Sequence, residues 1–200
     1  VNSLSAYLQS FVRQQLDTYL AKIKALPHRY YVDPFITAPA GVTRKTPNPV
    51  YSLLSEEDIG RNAHDGALGI LLAEPGQGKT HMSKYLSSKL AEGKFLPIYV
   101  HSDQWSQMRP DDLQSLWKTI AHSFRWFESP IGWIDGAERE FLRAALKAGM
   151  FRVIFDGFDE YVLRNKGQVD ASETIATLQQ LAAETGARIL LTSRTSFWDS

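Results

Sequence analysis

Three short stretches carry residues whose types and spacing fit phosphate chemistry. The first is Glu74-Pro75-Gly76-Gln77-Gly78-Lys79-Thr80-His81. Glycines such as Gly76 and Gly78 let backbone N–H groups converge on phosphate oxygens, and a helix beginning there adds its partial positive charge. Lys79 would reach the β- and γ-phosphates, and the Thr80 hydroxyl would ligate Mg²⁺. Glu74, Pro75, Gln77 and His81 complete the set expected around a nucleotide. Ala73 stands where the P-loop consensus has its first glycine, so the match is to the looser form of the pattern, with Pro75-Gly76 supplying turn chemistry close by. Taken alone, the stretch could also be a glycine- and lysine-rich turn without a ligand.

The second stretch is Asp156-Gly157-Phe158-Asp159-Glu160, delivered by the apolar run Phe151 to Phe155. An acid at the end of an apolar strand suits metal positioning, usually through water, and Asp156 would lie near a Thr80-bound Mg²⁺. Glu160 is the first choice to orient or deprotonate an attacking water, with Asp159 competing for the role. Three acids in five residues also fit a solvated turn. The third stretch is Ser193-Arg194, after the strand-like RILLT of Arg188 to Thr192. Arg194 could sense a γ-phosphate, or be an ordinary exposed arginine at a strand end.

These residues need elements to hold them. Leu68 to Ala73 has the length of a buried strand, and the glycine-rich stretch leads from it into a helix carrying Met82, Tyr85, Leu86 and Leu90, with Gly93 as its stop. Phe95 to Val100 predicts a second strand. Pro97 cannot donate to a ladder, so that strand belongs at a sheet edge or begins at the proline. It lies between the two motifs in sequence, leaving room for a doubly wound sheet in which the acidic strand is not simply the next one after the P-loop strand.

The remaining segments are supporting structure. Leu4, Leu8, Phe11, Val12, Leu16, Tyr19, Leu20 and Ile23 recur at helical spacing, predicting an amphipathic helix from Ser3 to about Ala25 that packs on its own domain or binds a partner. Prolines and Gly41 make Asp33 to about Pro49 a connector. His28 has no second histidine or cysteine nearby and reads as a surface residue rather than a ligand. Ser55 to Asp58 could open a short helix, and Ile59-Gly60-Arg61 could touch an adenine or form a solvated turn. Leu113 to Phe127 and Asp135 to Leu146 predict helices, the latter stopped at Gly149. Ser172 is the expected cap of a helix bearing Ile175, Leu178 and Leu181 and ended by Gly186. Trp105, Trp126 and Trp133 read as core or interface residues rather than base-stacking platforms.

With 200 residues, 44% of them hydrophobic, the chain can bury one sizeable core, expected as residues 1–30 (helix and connector) and 31–200 (α/β core). Lys plus Arg and Asp plus Glu number 22 each, so no global field argues for nucleic acid or an anionic membrane. The absence of cysteine rules out disulfides and thiolate metal sites. No apolar run approaches a membrane span, and the N-terminus lacks a signal peptide's apolar core, so the expectation is a cytoplasmic protein. A start at Val1 rather than Met predicts a fragment or processed product.

AEPGQGKT at Ala73 to Thr80, VIFDGFDE at Val153 to Glu160 and LLTSR at Leu190 to Arg194 together resemble the NACHT-type ATPases of the STAND class of signal-transduction NTPases. The small residue Gly157, then an apolar residue and Asp-Glu, is the most distinctive part, and the resemblance covers about Tyr31 onward. It implies an additional-strand P-loop fold, three-layered with a mainly parallel sheet, and ATP or ADP with Mg²⁺. It also implies a regulated, slowly hydrolysing switch, as in a defence or signalling protein, that oligomerises when a sensor detects its ligand. An effector would precede this core and a sensor follow it. The fifth strand, the helical and winged-helix modules and their nucleotide-contacting histidine or arginine would lie beyond Ser200. Two other readings compete: an AAA-like DNA-directed ATPase such as a loader or transposition partner, and a nucleotide-bound scaffold that does not hydrolyse.

Overall fold

The computed structural model describes residues 17–25, 50, 54, 67–92, 95–108, 116, 119–120, 144, 146–148 and 151–198. Among the described residues, four strands form one all-parallel sheet: β1 (Ala67–Leu72), β2 (Leu96–His101), β3 (Phe151–Asp156) and β4 (Arg188–Ser193). Their spatial order is β1-β4-β3-β2, so the last strand in sequence separates β1 from β3. The register pairs Leu72 with Ser193 and His101 with Asp156, aligning the carboxyl ends of the strands along one edge of the sheet.

Parallel strands buried on both faces read as continuous apolar runs, which is the case for β3 and β4, whose six residues are each buried. Alternate side chains supply two cores. Ile154 and Leu190 pack with Met82, Leu86 and Leu90 of α1 (Lys79–Glu92) on one face. Val153, Phe155, Ile189 and Leu191 pack on the other with Leu178 and Leu181 of α4 (Ala171–Thr185), Trp105 of α2 (Ser102–Met108) and Phe158 and Tyr161 of α3 (Phe158–Arg164). The fold is therefore α/β, with helices covering both faces of a parallel sheet. A short α5 (Thr195–Trp198) follows β4.

Trp105 is fully buried and meets Phe155, Phe158 and Tyr161 edge-on at 4.6, 5.9 and 4.8 Å between ring centroids, as the core reading requires. Trp126, Trp133, His28, the connector 33–49, residues 55–61 and Gly93 lie outside the described residues. Of the helix expected from Ser3 to Ala25, residues 17–24 are described and are helical. Residues 116, 119 and 120, and residues 144, 146 and 147, are likewise helical within the two later predicted helices.

One expectation changes. The cap of α4 is Asp170, not Ser172: Asp170 has extended backbone (φ −93°, ψ 125°), and its carboxylate accepts the N–H groups of Ser172 at 2.7 Å and Glu173 at 3.0 Å. Gly186 ends that helix in the left-handed conformation, as its sequence position predicts. The acidic stretch after β3, for which a solvated turn is only the competing reading, starts a helix, because Gly157 at φ 84° reverses the chain directly into α3.

Pro97 is tolerated because β2 is the last strand of the sheet among the described residues. Its carbonyl and the Tyr99 N–H both point away from β3, and the Tyr19 hydroxyl bridges them, donating to Pro97 O at 2.7 Å and accepting from Tyr99 N at 3.3 Å. That hydroxyl does for the edge what a neighbouring peptide group would do, satisfying strand groups that otherwise recruit another chain.

At the opposite ends of the strands, Arg152 and Arg188 are buried in register on β3 and β4. Arg152 donates to Leu54 O and Phe151 O and lies 4.0 Å from the Phe95 ring centroid, so its charge is both hydrogen-bonded and stacked.

Candidate functional site

All three motifs meet at the carboxyl ends of the strands, the edge where open parallel sheets bind ligands. Glu74, Pro75, Gly76, Gln77 and Gly78 form an exposed loop between β1 and α1. The loop turns on itself: Glu74 N donates to Gln77 Oε1 at 2.8 Å, and Gln77 N donates to Glu74 O at 3.2 Å. Gly76 and Gly78 adopt φ of 80° and 81°, a region closed to most residues, and open space lies where a Cβ would project from either. Their requirement is conformational. Ala73 N donates to Ser193 O at 3.2 Å, fastening the start of the loop to the end of β4.

Lys79 opens α1, and its ammonium donates to Ala73 O at 2.7 Å and Glu74 O at 3.2 Å. The charge is thereby held at the mouth of the loop with two of its three donors engaged. Thr80 is exposed and His81 half-buried in the same turn. Ser83, three residues beyond Thr80 and hence on the same side of the helix, donates to Asp156 Oδ1 at 3.2 Å. The face of α1 that carries Thr80 therefore looks toward the end of β3.

Asp156 is the last residue of β3 and is fully buried. Besides Ser83, Thr192 of β4 donates to its Oδ1 at 2.7 Å and Tyr99 of β2 donates to its Oδ2 at 2.9 Å. Three neutral hydroxyls from three elements thus hold a carboxylate that faces no cation among the described residues. Burial, followed by the Asp156 charge and hydrogen bond and then by Asp103, pushes the Tyr99 phenol well above its ordinary value, so it remains a donor. Thr192 Oγ1 also accepts the Gly157 N–H at 3.0 Å, fixing the exit from β3.

Asp159 and Glu160 occupy the first turn of α3, where acids complement the helix dipole. Asp159 is buried; the Arg194 N–H donates to its Oδ1 at 3.1 Å, and Arg194 Nε lies 2.8 Å from Oδ2, an ion-pair approach outside hydrogen-bond alignment. Glu160 is 40% exposed. Its Oε2 accepts from Ser102 Oγ at 2.9 Å, and its Oε1 lies 3.5 Å from Arg194 Nη2. Ser102 also bounds Gly157, since a Cβ there would lie 2.9 Å from Ser102 Cβ. Beside this group, Arg164 hydrogen-bonds Asp103 and, with help from His101, holds its carboxyl below the usual range against the opposing effect of burial.

The donor set fits a hydrated Mg²⁺ carried with phosphate. Mg²⁺ takes oxygen ligands, commonly one or two from protein with the rest from water and phosphate. Thr80 and Asp156 would supply a hydroxyl and a carboxylate to such an ion, and three hydroxyl donors leave Asp156 about one of its roughly four acceptor sites. Among the described residues no cluster of three or more His, Cys, Asp or Glu side chains could hold a metal unaided. Ser83, Tyr99, Ser102 and Thr192 escaped the sequence reading. Ser83 has a signal in its three-residue spacing from Thr80, whereas Tyr99 and Ser102 have none.

Comparisons with protein-family models, with curated proteins and with solved structures each find no match. Among the described residues no helix is long and apolar enough to cross a membrane.

Proposed function

We propose that this chain is an ATP-binding, slowly hydrolysing switch module of the additional-strand P-loop type, resembling the NACHT ATPases and belonging to a larger signalling or defence protein that oligomerises on activation. One observation carries the reading. The glycine loop, Asp156, Glu160 and Arg194 converge on one edge of a parallel sheet in which β4 is inserted between β1 and β3. In this reading Gly76 and Gly78 present backbone N–H groups to phosphate, and Lys79 exchanges its loop carbonyls for phosphate oxygens. Bound Mg²⁺ would neutralise phosphate charge, with Thr80 and Asp156 as its protein partners. Glu160, half-buried and held by Ser102, is the group that accepts a proton from water. Asp159 is committed to Arg194. Moving that guanidinium changes the partners of Asp159 and Glu160 together, so Arg194 is placed to couple phosphate charge to both acids.

Calorimetric titration with Mg-ATP tests the assignment. The parent should bind, and Lys79→Ala and Asp156→Asn should each weaken binding at least tenfold while their far-UV spectra remain those of the parent. Equal affinity in all three proteins overturns it.

A further inference from the structure

The Tyr99 hydroxyl occupies Asp156 Oδ2, while Oδ1 is taken by Ser83 and Thr192. The Tyr99 backbone is in turn tied to the Tyr19 hydroxyl on the helical segment 17–24, which also holds Pro97 two residues upstream. A continuous path therefore leads from a helix packed outside the edge strand, through one peptide N–H and one phenol, to the carboxylate at the centre of the site. We infer that Tyr99 is a positioning residue for Asp156, and that the docked segment 17–24 sets it through Tyr19; this rests on the nucleotide-site reading above.

The chemistry favours positioning over packing alone. A buried carboxyl group loses its hydration, and hydrogen bonds from the protein must replace it. Ser83 and Thr192 both bind Oδ1, so the acceptor site that remains open is on Oδ2. Among the described residues Tyr99 is the one donor on Oδ2, and by occupying one of its acceptor sites it sets the direction of the site that remains. Partners of this kind that orient metal-binding groups typically contribute 10- to 100-fold to metal affinity. Tyr19 acts one step further away, through a 3.3 Å bond from a backbone amide, so its effect should be smaller.

The test measures ATP affinity of the whole chain as a function of Mg²⁺, and separately in EDTA, for the parent, Tyr99→Phe and Tyr19→Phe. Both substitutions keep the ring and remove only the hydroxyl. Tyr99→Phe should raise the Mg²⁺ concentration for half-maximal effect about tenfold and leave affinity in EDTA unchanged. Tyr19→Phe should shift it about two- to threefold in the same direction, roughly the loss of one weak hydrogen bond. A second measurement, the tyrosine difference spectrum of the parent on adding Mg²⁺ to the ATP complex, should be lost in Tyr99→Phe. An unchanged or lowered Mg²⁺ requirement in Tyr99→Phe, in a parent whose ATP binding depends on Mg²⁺, overturns the role of Tyr99 and leaves the nucleotide site standing. A shift in Tyr99→Phe with none in Tyr19→Phe overturns the part assigned to segment 17–24. A parent with no Mg²⁺-dependent binding overturns both this inference and the reading beneath it.

Discussion

Arg194 reaches Asp159 twice, through its backbone N–H to Oδ1 at 3.1 Å and through guanidinium Nε, 2.8 Å from Oδ2. The contact separates two acids that the sequence leaves as competitors. Breaking a fully buried pair by removing one partner costs about 3–5 kcal/mol. Arg194 is 38% exposed and its amide would remain, so water and the backbone bond should reduce that cost. Arg194→Ala should therefore lower stability by about 1–2 kcal/mol, read as a reduced urea midpoint with an unchanged slope. A midpoint equal to that of the parent would show that the pair contributes nothing.

Glu160 and Asp159 should then behave differently in turnover. Glu160→Gln keeps the shape and the Ser102 contact while removing the basic oxygen, so single-turnover hydrolysis should fall about 10²- to 10⁴-fold with Mg-ATP binding retained. Asp159→Asn removes a charge already committed to Arg194, and its loss should appear first in stability. Hydrolysis that survives Glu160→Gln but disappears in a folded Asp159→Asn protein would reverse the assignment. Mg-ATP binding with no hydrolysis above background in the parent would favour the scaffold reading.

Gly157 is held to glycine by two separate constraints. Its φ of 84° costs an L-residue about 1–2 kcal/mol, and a Cβ would press on Ser102 Cβ at 2.9 Å. Both atoms belong to packed elements, so the contact is not relieved by turning a flexible side-chain tip. Gly157→Ala should destabilise by about 2–4 kcal/mol, combining backbone strain with overpacking. In a double-mutant cycle, Ser102→Gly should recover the steric part and leave the conformational part. Strict additivity in thermal or urea unfolding would mean that the two residues do not press on one another.

Much of this architecture is legible in the chain because the relevant signals are local. The six-residue run ending at Asp156 reads as a buried strand, Pro97 marks the edge, and Gly186 marks a helix end. Ser172 and Asp170 are both good caps two residues apart, and only the extended backbone at Asp170 decides between them. Gly157 is visible as a small residue, but its positive φ, and hence the helix starting at Phe158, is not. The partners of Asp156 lie 73, 57 and 36 residues away at Ser83, Tyr99 and Thr192. No periodicity links them, because the sheet order and the turn of α1 bring them together. The motifs thus locate the acid, while the hydroxyls that hold it are a product of the tertiary fold.

The phenols of Tyr99 and Tyr19 make stability in alkali a further test of the fold. Tyr19 and Tyr99 both have their phenols pushed above the ordinary value of 10.0, Tyr19 by burial against a small opposing hydrogen bond from Tyr99, and Tyr99 by burial and then by Asp156. The raised folded value fixes the sign. Below about pH 10 each phenol is protonated in both states and its full contribution is present. Above that, the unfolded chain ionises while the folded one does not, so stability falls as pH rises, by about 1.4 kcal/mol per pH unit for each tyrosine. Tyr99→Phe should flatten that decline by one tyrosine's share relative to the parent, and the double substitution with Tyr19→Phe by two. Urea midpoints collected from pH 8 to pH 11.5 would test this. Parallel curves for parent and variants would mean that neither phenol is held neutral by the fold.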